Sequence, residues 1–175
     1  MQSKPDRDAP PAGDSAERAS PVCYAAQADP AYMGQVTREE LLAALDELLE
    51  AERAGARVAE ETLAQLQDPA ERAVMEIVRQ GEVKWCGMLM AAIKSLDAKP
   101  STRVGAFHGK AMAIADLTAR MAFLNRGQAW VVRKLEALVP KVGQAPIQDD
   151  LLAMLVSHRE NIDRVATRLA DAAGS

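Results

Sequence analysis

The sequence predicts an all-α fold, a four-helix bundle built as two antiparallel hairpins joined by a long crossover. Three observations predict it. Apolar residues recur at alternating three- and four-residue steps through four segments of about 20 to 30 residues, the period of a helix with one buried face. No segment shows the period-two alternation of a strand. Helix-start signals precede three of the segments, and a stretch holding Pro100, Ser101, Gly105 and Gly109 separates the second from the third.

The elements follow in order. Residues 1–21 contain Pro5, Pro10, Pro11 and Pro21 among Ala, Ser, Asp and Gly, a composition expected to form a disordered tail. Residues 22–36 carry Cys23, Tyr24, Tyr32 and Met33, enough apolar surface for an irregular strap laid on the bundle of residues 37–175. Thr37 and Glu40 stand at the spacing of a capping box, and the apolar pattern after them runs to Leu66. Asp68, Pro69 and Glu71 start a second helix almost at once, expected to reach about Asp97 and to pack antiparallel on the first. Residues 98–116 read as a crossover with a short helical piece near Phe107 to Ile114. Asp116 caps a third helix to about Val139, and Pro140, Gly143 and Pro146 separate it from a fourth, from about Gln148 to Ala173.

Composition narrows the function. The 175 residues are 49% apolar and 3% aromatic, enough for one domain with a sizeable core. A net charge of −4 lacks the basic excess of a nucleic-acid binder. No apolar run approaches the roughly 18 residues of a membrane span, and the polar first twenty residues lack a secretory core, so a cytoplasmic location is expected. Two cysteines, Cys23 and Cys86, cannot build a disulfide framework or a four-thiolate zinc site.

Stepping along each apolar seam finds one polar intruder per helix. The first gives Leu42, Leu45, Leu49, Glu52, Ala56, Ala59, Leu63 and Leu66, and its charged member is Glu52. Glu82 interrupts the second seam, Gln128 the third and His158 the fourth. Glu52 and Glu82 each lie 15 residues from Gln67 in the first turn, and Gln128 and His158 each lie 15 residues from Gly143 in the last. All four are therefore expected to project inward at mid-height. Two buried carboxylates with no Lys or Arg on any seam require compensation. One divalent metal, Fe, Mn or Zn, held by Glu52, Glu82 and His158 with Gln128 as a weak ligand or outer neighbour, would supply it. A metal-free hydrogen-bond network with one Glu protonated, because burial and a like charge raise it, or seams whose polar members snorkel to water, are the alternatives.

Several phrases also resemble a known group. Cys23-Tyr24, Asp29 to Gly34, Leu48 to Ala56, Lys84-Trp85-Cys86, Phe123 to Gln128 and Ser157-His158 are similar to stretches of a bacterial ferritin-like family known as a domain of unknown function. The likeness covers roughly residues 22–165. It implies the ferritin-like version of the four-helix bundle. Di-iron members of that superfamily present a Glu from each of two helices and a Glu-x-x-His pair from each of the other two. Glu52 and Glu82 match two of those carboxylates and His158 one imidazole, whereas Trp85, Gln128 and Leu155 stand at the other three positions. The resemblance thus implies a degenerate site and argues against a di-iron ferroxidase.

Other residues invite plainer readings. Trp85 and Trp130 fit core packing, and Cys86 a small buried apolar residue. His108 fits an exposed loop position. Arg120, Arg126, Arg133 and Lys134 fit a solvated basic face, and Arg53 and Arg57 fit surface pairs with Glu50, Glu60 and Glu61. The leading expectation is a protein binding at most one metal ion, leaning away from catalysis. A metal-free accessory protein that docks a partner enzyme or self-associates competes with it, and a mononuclear non-haem oxidoreductase is third.

Overall fold

The computed structural model describes residues 34–174, and the described residues are all helical or linking, without strands. The expected tail of residues 1–21, and residues 22–33 of the expected strap, lie outside them. Five α-helices follow one another: α1 (Arg38–Leu63), α2 (Pro69–Ser95), α3 (Phe107–Met112), α4 (Leu117–Leu138) and α5 (Ala145–Ala173), with a 3₁₀ turn at Val139–Lys141.

Local chemistry sets the starts. At α1 the Thr37 side chain accepts from the Glu40 amide while Glu40 Oε2 accepts from the Thr37 amide at 2.8 Å, so the capping box forms. Asp68 accepts from the Glu71 amide at 2.8 Å with Pro69 opening α2, and Asp116 accepts from the Ala119 amide at 2.7 Å at α4. The ends differ from the sequence expectation. Helix α1 stops at Leu63 and the chain turns through residues 64–68, yet Leu66 remains buried at 2% exposure. That burial prolongs the apolar pattern past the last helical residue. Helix α5 begins three residues early because Pro146 falls in its first turn, where a missing N–H costs nothing.

The four long helices form a closed circuit. Helix α1 packs on α2 and α4, and α5 packs on α2 and α4. The short α3 rests on α1 and α4 and carries the crossover over that seam. Gly105 N–H donates to the Glu50 carbonyl at 3.0 Å, and Ser101 N–H donates to Asp46 Oδ1 at 2.8 Å, which ties the crossover to α1.

The core divides in two along the helix axes. One cluster gathers Leu45, Leu49, Trp85, Leu89, Val131, Leu135, Leu151 and Leu155, and the other gathers Val58, Met75, Val78, Met121, Leu124 and Val165. Between them on every long helix stands a buried polar residue: Glu52, Glu82, Gln128 or His158. Burial on α1 is broader than a single seam. Leu41, Leu48, Val58 and Thr62 are buried there, whereas Leu42, Ala56 and Leu63 are half-exposed, because α1 faces two long helices and the crossover.

Candidate metal centre

Glu52 projects from α1, Glu82 from α2 and His158 from α5, and one ligand atom of each lies within 4.8 Å of the others. They are 0%, 4% and 1% exposed. His158 Nδ1 lies 3.1 Å from the Met154 carbonyl, which can only accept, so Nδ1 carries a proton and donates it. That bond aims Nε2 inward. Nε2 stands 3.2 Å from Glu52 Oε1. Two donors bound to one ion at about 2.1 Å stand about 3.0–3.4 Å apart for octahedral to tetrahedral angles, so the spacing suits a shared cation.

Electrostatics points the same way. Neither Glu52 oxygen receives an N–H or hydroxyl donor from outside the trio; a proton on this carboxyl can be shared with His158 Nε2 at 3.2 Å, and a hydrogen bond joins it to Glu82. Burial pushes Glu52 up to about 8, against the lowering effect of that bond. Glu82 is raised well above the usual carboxylate range, first by burial and then by the Glu52 charge, with His158 opposing. No Lys or Arg acts on either group. The cluster therefore has a deficit of positive charge that a proton or a divalent ion can fill, and the three side chains could hold one metal ion.

Glycine makes room for one carboxylate. A Cβ on Gly55 would lie 2.5 Å from Glu82 Oε2 and 2.7 Å from its Cδ, so Glu82 occupies the space that Gly55 leaves on α1. Gln128, on α4, is 2% exposed, and neither its Oε1 nor its Nε2 has a partner. Gln128 and Glu82 line one cavity of about 440 Å³ beneath the crossover.

Neighbouring residues show what the seams concealed. Trp85 is buried at 3% exposure in the larger core cluster, with Lys84 Nζ 4.1 Å from its ring centroid; an indole N–H only donates and offers no metal a lone pair. Cys86 is half-buried, and its thiol is pushed up to about 12, first by burial and then by Glu52 and Glu82, which disfavours the thiolate. Asn161 is buried one turn beyond His158, where the seam had placed Ile162, and accepts from Arg164 at 2.9 Å.

Three charge readings need correction. Arg120 is buried at 4% exposure and donates from Nε to the Ile114 carbonyl at 2.9 Å, so it closes the end of the crossover rather than joining a solvated face. Arg53 donates to the carbonyls of Ser101 and Arg103, while Glu50 accepts from Ser101 at 2.6 Å and Arg103 at 2.9 Å; these charges hold the crossover, and the Arg53 charge also acts on Glu50 along α1. His108 lies in α3, with Nε2 2.8 Å from Glu61 Oε1.

Comparison with curated proteins and with solved structures returned no significant match. A family model does match, over residues 39–167, a span that holds all four polar residues of the mid-height layer. The chain belongs to the family described as a domain of unknown function, DUF6306.

Proposed function

We propose that the chain is a ferritin-like four-helix bundle whose polar layer binds at most one divalent cation, Fe, Mn or Zn. Glu52 and Glu82 neutralise the ion, His158 contributes Nε2, and Gln128 acts as a weak ligand or orients a water. The observation that carries this reading is the buried trio itself, with ligand atoms within 4.8 Å and no Lys or Arg among the groups acting on its carboxylates. Closed circuit packing and the division of the core at this layer support the bundle reading. With Trp85, Gln128 and Leu155 at three positions where di-iron members of the resembled superfamily carry ligands, too few donors remain to bridge two irons. A bound divalent ion supplies Lewis acidity there.

Elemental analysis of protein purified without chelator tests this, with about one equivalent of metal expected per chain. Glu52→Ala should lose it while retaining helical circular dichroism. Failure of the wild-type protein to bind Fe(II), Mn(II) or Zn(II) on calorimetric titration overturns the reading.

A second reading has its own observation. Ile77 and Val83 on α2, and Leu152 and Val156 on α5, are large apolar residues exposed on adjoining helices, which fits an accessory role in which the protein docks another protein or copy. A monodisperse monomer by light scattering removes the self-association form of it.

A further inference from the structure

The cavity beside the trio has the features of a small-molecule site in its own right. It lies between α1 and α4 under the crossover, and its volume of about 440 Å³ falls in the roughly 300–1,000 Å³ range of ligand pockets. Exposed Glu47, Ala106 and Arg126 stand at its mouth, and buried Glu82 and Gln128 lie at its inner end. It thus leads from the surface to the polar layer.

The lining states what would fit. Phe123, Trp130 and Phe107 supply flat apolar walls, Phe107 stacking on Phe123 with centroids 4.8 Å apart and planes 11° apart. Gly127 holds that wall close, since a Cβ there would lie 2.7 Å from Phe107 Cζ. Inside, the Gln128 amide is buried with its donor and its acceptor both unpartnered. Leaving both unmet costs about 1–3 kcal/mol for each group, so the position calls for a partner that donates and accepts side by side. Charge selects further. The lining's arginine, Arg126, sits at the mouth over the Phe123 ring at 5.4 Å, so no cation waits inside for an anionic head. Glu47 and Glu50 at the outer wall already pair with Lys134 at 3.0 Å and Arg103 at 2.9 Å, and the Glu82 carboxyl at the inner end is taken up by Glu52 and His158 in the space that Gly55 leaves.

We propose that this cavity binds an uncharged aromatic carboxamide, its ring against the aromatic wall of Phe107, Phe123 and Trp130 and its amide in two parallel hydrogen bonds with Gln128. The ligand N–H donates to Oε1 and its carbonyl accepts from Nε2. Neither bond needs a metal, so the proposal stands independently of the proposed cation.

Calorimetric titration of the full chain in EDTA with 2-naphthamide, naphthalene, 2-naphthoate and 2-naphthylmethylamine tests it. Saturable binding of the amide is expected, at least about tenfold tighter than any of the other three. Gln128→Leu should abolish the amide's advantage over naphthalene while naphthalene binding persists, and Trp130→Ala should weaken both. Absence of amide binding by the wild-type chain, or equal or tighter binding of the hydrocarbon, acid or amine, overturns the proposal. Glu52→Ala should retain the amide, which separates failure of the cavity from failure of the metal site.

Discussion

Gly55 on α1 gives up the space that the Glu82 carboxylate of α2 occupies, with Oε2 only 2.5 Å from where a Cβ would stand. Helix propensity alone makes Gly55→Ala stabilising by up to about 1 kcal/mol. The added methyl must instead displace a carboxylate enclosed by two core clusters, and such overpacking costs about 1–3 kcal/mol. Gly55→Ala is therefore expected to lower the thermal midpoint in EDTA and to weaken Zn(II) binding roughly tenfold or more, as loss of a ligand's support does. A variant more stable than wild type with unchanged zinc affinity contradicts this account of Glu82.

The trio also fixes a pH dependence. An unfolded Glu52 releases its proton near 4.5, whereas the folded one keeps it to about 8. Between those values the unfolded chain binds fewer protons, so stability of the metal-free protein falls as pH rises, by up to about 1.4 kcal/mol per unit for each group so shifted. Glu82, shifted in the same direction, adds to the slope. Denaturant unfolding in EDTA from pH 5 to 8 should show the decline, and Glu52→Gln should flatten part of it. Metal should reverse the trend, binding more tightly as pH rises and releasing protons. A flat or rising metal-free profile counts against it.

The polar layer was legible in the sequence because each long helix spends one seam position on it, and a three-four step is local enough to find that position without knowing the partners. Thr37, Asp68 and Asp116 were legible for the same reason, each cap answering to an amide three residues on. Gly55 was not, since its purpose is the shape of a side chain on another helix. Arg120 lies on a basic stretch that reads as solvated until the Ile114 carbonyl arrives beside it. The broad buried face of α1 was hidden because a seam describes one contact, and α1 makes three.

Arg120 carries a prediction of its own. It is a buried cation whose Nε serves the Ile114 carbonyl and whose Nη1 has no partner. Truncation to Ala removes the donor from that carbonyl and leaves a void, so Arg120→Ala should destabilise the protein by about 1–3 kcal/mol in chemical denaturation. Its neighbour Met121 belongs to the core cluster on one side of the polar layer, and metal stoichiometry should stay unchanged. Metal loss at unchanged stability is the opposite result, and it would tie Arg120 to the trio.

Asp46 tests how the crossover is held over the cavity. Its Oδ1 accepts the Ser101 amide at 2.8 Å, beside the Ser101 hydroxyl donating to Glu50 and the Arg53 guanidinium donating to the Ser101 carbonyl. Asp46→Ala removes one of these ties and leaves the others. A hydrogen bond to a charged acceptor contributes about 1.5–3 kcal/mol, so hydrogen exchange at Ser101 and its neighbours up to Gly105 should quicken about tenfold or more. Amides in the middle of α1 and α2 should keep their rates, because their bonds lie within the helices. Since Gly105, Ala106 and Phe107 line the cavity, a looser crossover should also weaken 2-naphthamide binding while leaving the metal ligands in place. Uniformly faster exchange would instead mean that Asp46 supports the whole fold, and unchanged exchange that the other ties suffice.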